Sequence, residues 1–296
     1  MNLGIVFIPN KNLITNILIP KTPTKMTVSL KSLVFTARRA NVVFLATLLA
    51  LFSTVSFAQK NPAATGFDEA GSDPKAIQIA DEVMQSMGGR KNWDKTRYFA
   101  WNFFGARKLV WDKWTGDVRV DNLRNDQTVL LNINTDKGRI FKNGQELTAP
   151  DSVAKYVKSA KGVWINDSYW LVMPFKLKDS GVTLKYLGED KTKDSVAANV
   201  LQLTFKGVGN TPDNKYKVWV KKNEPMVWQW AYFAKYDAEK PNFTLPWTSY
   251  QKHGKIMLSG ERGDRDLTEI MVFDKLPESV FNDFAKPDLS KYPLAQ

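Results

Sequence analysis

Apolar positions in this chain keep a helical period over one early stretch and a period of two over most of the chain beyond it. Ile77, Ala80, Val83, Met84 and Met87 recur at three- and four-residue spacing behind Asp73, a good N-cap, and Pro74, which suits the first helical position. Gly88 and Gly89 stop the run, so the spacing predicts a helix over 74–87. Beyond it Phe99, Trp101 and Phe103 alternate with Tyr98, Ala100 and Asn102, and the rhythm continues through Leu109 to Trp111, Val118 to Val120, and Val129, Leu131 and Ile133. Turn signals at Thr115-Gly116-Asp117, Thr135 to Gly138 and Lys142-Asn143-Gly144 separate these runs by spacings that suit antiparallel hairpins. The first half is therefore a meander.

Between Pro150 and Lys178 the rhythm breaks. Pro150 and Asp151 open a short helix through Val157, Asn166 or Asp167 caps a second one carrying Tyr169, Trp170, Val172 and Met173, and Pro174 ends it. This insertion is expected to lie across the sheet. Strands resume at 182–187, 200–205, 216–220 and 226–236, two more fit near 255–258 and 268–273, and a last short helix falls around 277–284. No repeat or low-complexity linker divides the chain after residue 73. The expected architecture for 73–296 is one mainly β domain of the α+β class, a strongly curved antiparallel sheet, open or nearly closed, with helices against its concave face.

Residues 1–58 read as an address. Arg38 and Arg39 precede the apolar run Asn41 to Phe52, and Ser56-Phe57-Ala58 sets small residues at minus three and minus one of a cut after Ala58, the pattern of a signal peptide. A single membrane anchor is the competing reading, weakened by Ser53, Thr54 and Ser56. Pro9 and Pro20 interrupt residues 1–25, which fit neither a span nor an n-region, so Met26 is the better candidate start. Residues 59–72 are small and polar and are expected to be a flexible leader. An exported chain without cysteine carries neither disulfide nor lipid-modified Cys, which points to a periplasmic or secreted protein.

Composition narrows the chemistry further. The 296 residues are 43% hydrophobic and 24% charged, the balance of a globular chain. The net charge of +12 suggests nucleic acid at first, but six basic residues lie in 1–58, where no acid occurs, leaving 36 basic against 30 acidic side chains spread over the rest. No nucleic-acid partner is expected. Without cysteine there is no thiolate nucleophile or thiolate metal site, and any triad or imidazole ligand would have to be His253, the one histidine, which sits beside Gly254 and reads as a solvated turn residue. Asp112, Asp117 and Asp121 do not match a calcium-loop spacing and read as surface or turn carboxylates. Gly260 to Arg265 lacks the strand-to-helix context of a phosphate loop and reads as a charged hairpin turn. No catalytic residue, metal or cofactor is expected.

What the chain has in surplus is aromatic surface. All ten tryptophans and nine tyrosines lie beyond residue 58, with twelve of the seventeen phenylalanines. By period two, Met226, Trp228, Trp230, Tyr232 and Tyr236 share one face of a strand whose other face is also apolar. Most of these rings serve as core for a large sheet, but the concave side holds more aromatic surface than short helices cover, and Tyr169, Trp170, Leu171 and Met173 look like the underside of a lid.

The order helix, Gly88-Gly89, meander, helical insertion ending at Pro174, then further strands resembles the lipoprotein-localisation proteins of the LolA and LolB type. Tyr216-Lys217-Val218-Trp219-Val220, a turn through Asn223, Pro225 and then Val227-Trp228 is similar to that superfamily's strand, turn, proline, strand pattern, apart from Lys221, where an acidic residue is usual. The resemblance implies an unclosed barrel with a helical lid over an apolar cavity. The candidate lining is Trp101, Phe103, Trp111, Tyr169, Trp170, Met173, Trp228, Trp230 and Tyr232. The expected function is a non-enzymatic, monomeric binding protein for an apolar small molecule, lipid or lipoprotein, with peripheral membrane contact compatible with that role. The alternative is an envelope carbohydrate-binding or glycosidase-type protein that uses exposed tryptophans and paired carboxylates. The two readings separate on whether Trp101, Trp170, Trp228 and Trp230 surround one cavity or form an exposed row.

Overall fold

The computed structural model describes residues 61–209 and 213–296; the expected signal peptide, its cleavage site and the start at Met26 lie outside them. Six strands run as the expected meander: β1 Tyr98–Phe103, β2 Arg107–Asp112, β3 Asp117–Asn122, β4 Gln127–Asn132, β5 Lys137–Lys142 and β6 Gln145–Leu147. The last strand, β14 Leu267–Phe273, returns to pair with β1, giving an antiparallel seven-stranded sheet in the order β14-β1-β2-β3-β4-β5-β6. A second antiparallel sheet holds β7 Val182–Lys191, β8 Ala197–Phe205, β9 Lys215–Lys221, β10 Val227–Phe233 and β11 Phe243–Pro246, while β12 Gln251–His253 and β13 Ile256–Leu258 form a separate hairpin. The fold is mainly β, antiparallel and open, as expected. Its fourteen described strands exceed the ten ranges expected by β5, β6, β11 and β12, of which β6, β11 and β12 are only three or four residues long, too short to display an alternation.

Helix α1, Pro74–Ser86, buries Ala76, Ile79, Ala80, Val83 and Met84. Asp73 stands at its N-cap, but its carboxylate accepts from the Tyr186 amide at 2.9 Å and from Lys185, so it ties the helix start to β7 instead of capping the helix. Gly88 has φ +111°, and a Cβ there would collide with the Lys255 carbonyl; the turn into the short helix α2, Arg90–Lys95, needs glycine. The stretch expected as a leader is hydrogen-bonded along the residues that open the second sheet: Ala64 N–H to Lys178 O at 3.0 Å, Gly181 N–H to Gly66 O at 2.8 Å and Asp68 N–H to Val182 O at 3.0 Å.

The insertion differs from expectation in a way that matters for the site. In place of two short helices there is one, α3 Pro150–Val172, 23 residues long and continued by a 3-10 turn at Met173–Lys176. Asp167 looks like a cap in sequence, yet it is fully buried and its carboxylate accepts from Arg107 Nε at 2.8 Å and Nη2 at 3.0 Å, leaving it no capping role. Helix α3 crosses β3, β4 and β5. At Gly138 of β5 an added Cβ would stand 2.9 Å from Val157 of the helix, so the missing side chain sets how closely helix and sheet approach.

The face of the seven-stranded sheet away from α3 is covered by the C-terminal segment. There Tyr98, Ala100, Val110 and Phe273 pack with Val280 of α4, Ser279–Asn282, and with Phe281, Leu289 and Tyr292. Arg119, fully buried, holds this segment: Nη1 donates to Asp283 O at 2.7 Å, Nη2 to Phe284 O at 3.1 Å, and Nε to Asp121 at 2.7 Å.

Candidate functional site

The last turns of α3 bring Trp164, Ile165, Ser168, Tyr169 and Val172 to one side of the helix, the i, i+1, i+4, i+5, i+8 spacing of a single face. Facing them are Trp93 of α2, Trp111 of β2, Val182 of β7, Phe205 of β8 and Tyr216 of β9, and between these walls lies a cavity of about 340 Å³. Trp170 also contributes to the lining. Toward solvent the lining changes character, with Asn166, Ser180 and Gly209 exposed and Lys176 beside Asp179. These last two are the charged side chains of the lining, and they form an ion pair with each other.

The aromatic walls interlock. Trp111 meets Trp164 edge-on at 5.3 Å, Tyr169 meets Tyr216 at 5.3 Å and Phe205 at 6.3 Å, and Tyr216 stacks on Trp230 at 5.5 Å. Burial pushes the Tyr169 and Tyr216 hydroxyls well above the ordinary tyrosine pKa, so both are neutral donors throughout the physiological range. Among the described residues, the indole N–H groups of Trp111 and Trp164 and the Tyr169 hydroxyl are buried without a hydrogen-bond partner.

Of the residues singled out from the sequence, Trp111, Tyr169 and Trp170 line the cavity. Trp230 and Phe103 stand behind Trp170, at ring distances of 4.7 and 6.0 Å, and Tyr232 packs on Tyr216 with its hydroxyl donating to Asn214 at 3.3 Å. Trp101 and Met173 are buried in the main core outside the lining. Trp228 is elsewhere. A β-bulge between Val227 and Gln229 shifts the register against β9, so that Val227 and Trp230 both belong to the core while Trp228 lies under the Lys221 ammonium, 4.6 Å from its ring centre. The period-two expectation that Trp228 and Trp230 share a face is corrected by that bulge.

Trp93, Trp164, Phe205 and Tyr216 are lining residues that sequence reasoning passed over. Trp164 fell in the gap between the two helices expected there; in a continuous helix its spacing to Ser168 and Val172 places it on the cavity face. Phe205 and Tyr216 were legible as apolar positions on strands, without a signal for which wall they would form.

The other chemistry weighed in the sequence is placed away from the cavity. His253 ends β12, half-buried, and burial lowers its pKa. Asp112 is held bidentately by Arg97, Asp117 accepts from Thr115 and Asn132, and Asp121 accepts from Arg119 and Thr128. The expected charged hairpin at 260–265 is corrected at Arg262, which turns inward and is fully buried. Its guanidinium lies 3.5 Å from the Trp247 ring centre and donates to Trp170 O at 2.7 Å, Ser259 O at 3.0 Å, Ser259 Oγ at 2.9 Å and Glu261 O at 2.6 Å.

No family model matches the chain, and no curated protein matches it either. Among solved structures it is similar to a DUF1329 family protein from Desulfovibrio piger, at 14% identity and TM-score 0.40 over 71% of this chain and 98% of that one. It is also similar to a LolA superfamily protein from Nitrosomonas europaea, at 10% identity and TM-score 0.35 over 68% of this chain and 96% of that one. Among the described residues no helix is long and apolar enough to cross a membrane.

Proposed function

We propose that the protein is an exported, periplasmic and non-enzymatic binding protein that holds a lipid or lipidated chain in the cavity between α3 and the two sheets. The observation that carries this reading is the lining itself, in which Trp93, Trp164, Trp170, Phe205, Val172 and Val182 supply apolar surface while the two charged side chains neutralise each other. Each buried methylene contributes roughly 0.8 kcal/mol, so a chain of about ten carbons in a preformed pocket can reach micromolar affinity after the association cost. Sugar stacking needs exposed indole faces. Of the four tryptophans that separate the readings only Trp170 lines the cavity, while Trp101 and Trp230 are buried in the core and Trp228 is half-buried under Lys221; they form no exposed row, which weakens the carbohydrate reading.

The experiment is a titration of intrinsic tryptophan fluorescence with medium-chain amphiphiles, repeated on Trp170→Ala. A saturable change in the parent chain, weakened at least tenfold in the variant, is expected. Soluble glycans shifting the emission where amphiphiles do not would replace this reading with the carbohydrate one.

A further inference from the structure

Helix α2 and the turn from β2 into β3 carry cavity wall on one side and cations on the other. Within α2, Trp93 stacks on Phe175 at 4.4 Å and lines the cavity. Lys91 and Lys95, four residues apart on the opposite face, are exposed and have no ion-pair partner among the described residues. Trp111 of β2 also lines the cavity, and three residues further on the turn shows Trp114 to solvent, at 57% the one mostly exposed tryptophan among the described residues. That turn is rigid. Trp114 N–H donates to Asp112 Oδ1 at 3.0 Å, Gly116 N–H to Asp112 O at 2.9 Å, Asn134 Nδ2 to Thr115 O at 3.0 Å, and the Trp114 indole to Asp94 O at 3.1 Å.

The charge at this end is one-sided. Arg90 and Arg97 are neutralised by Asp94 and Asp112, at 2.7 and 2.8 Å, and Asp117 accepts from Thr115 and Asn132. Lys91, Lys95 and Lys113 are left without a carboxylate; the Lys113 ammonium donates to Asp94 O at 3.3 Å and lies 4.9 Å from the Trp93 ring centre. From α2 the surface runs on to the cavity mouth, since Arg90 and Trp93 share a hollow of about 70 Å³ with Lys176 and Lys178. An indole held in water beside uncommitted lysines is complementary to an anionic bilayer, where the ring settles at headgroup level and each lysine strengthens binding about fivefold. A neutral sugar would take the ring and gain nothing from the lysines. We propose that α2 and the β2–β3 turn dock on an anionic membrane surface, and that the cavity receives its lipid from that membrane. The second clause rests on the lipid reading above; the docking face does not.

The test is co-sedimentation of the exported protein with vesicles of phosphatidylcholine and of its equal mixture with phosphatidylglycerol. The mixed vesicles are expected to bind at least about tenfold more tightly, and added salt to weaken them. The double variant Lys91→Gln with Lys95→Gln is expected to lose at least about tenfold in binding to the mixed vesicles. Brominated phospholipid in those vesicles is expected to quench part of the tryptophan emission, and Trp114→Phe to remove most of that quenching. Both variants are expected to keep the parent's melting temperature and its amphiphile titration, because the changed side chains are exposed and outside the cavity lining. Equal binding to both vesicles, unchanged binding in the lysine variant, or quenching that survives in Trp114→Phe overturns the docking face. So does a soluble glycan that shifts the Trp114 emission while vesicles leave it unaltered. Docking without any amphiphile titration retains the face and removes the lipid reading; amphiphile titration without docking does the reverse.

Discussion

At Arg262 a full positive charge is buried against carbonyl and hydroxyl oxygens and the face of Trp247, and burial lowers its pKa. What stabilises the cation there is position. One acceptor, Trp170 O, belongs to the C-terminal end of α3, where the helix dipole is negative. Lysine cannot reproduce a planar fork of donors reaching Trp170, Ser259 and Glu261 at once. Arg262→Lys is expected to cost about 2 kcal/mol and Arg262→Ala about 4 kcal/mol, because carbonyls left unpaired in the interior lose water as well as the guanidinium. Urea unfolding of the two variants against the parent checks this, and equal midpoints would contradict it. The role was invisible in the sequence for a physical reason: Trp170 is 92 residues away, and a main-chain carbonyl leaves no side-chain signature. Trp228 failed to reveal its place for a related reason, since a bulge is decided by pairing between β9 and β10 and not by the strand's own alternation.

At the scale of elements, α3 supplies more of the cavity lining than any other element, and it is held to the first sheet by two features of different kinds. Gly138 lets Val157 come close over β5, and Arg107 on β2 grips Asp167 in the last turns. Strand and turn periodicity made the meander and α1 legible, because each of those elements is amphipathic over several residues. The length of α3 was not legible, since Asp167 carries the same residue type as a cap and only the arrival of Arg107, 60 residues earlier in the chain, distinguishes a buried ion pair from a helix start. Removing the carboxylate leaves a partly exposed guanidinium beneath the helix, so Asp167→Ala is expected to cost about 2–3 kcal/mol, less than a wholly buried pair because Arg107 keeps 25% of its side-chain surface in water. The same variant frees the cavity wall to move, and the Trp164 and Trp111 emission should become more accessible to acrylamide. Unchanged stability together with unchanged quenching would show that the pair does not hold the helix.

Across the whole molecule, the antiparallel class and its open form arise from hairpins that each declare themselves locally. The return of β14 to β1 does not, because it joins residues up to 175 positions apart, as at Tyr98 and Phe273, and neither does the split into two sheets. That return also sets the task of the C-terminal segment. Having delivered the chain to the outer face beside β1, β14 leaves the residues after Asp274 to cover Tyr98, Ala100, Val110 and Phe273, and Arg119 anchors them by donating to the carbonyls of Asp283 and Phe284. The segment is thus a structural part of the domain. Deleting residues 275–296 exposes that apolar patch and strips Arg119 of its carbonyl acceptors in one step, and the shortened chain is expected to bind a hydrophobic dye and to lose a cooperative thermal transition. Arg119→Met keeps the apolar cover and removes only the anchor, so it is expected to fold but melt lower, at a cost of about 3 kcal/mol. If the deletion melts cooperatively at the parent temperature, the segment is dispensable and the outer face is stable without it; if Arg119→Met alone matches the deletion, the anchor and not the apolar cover is what holds the face together.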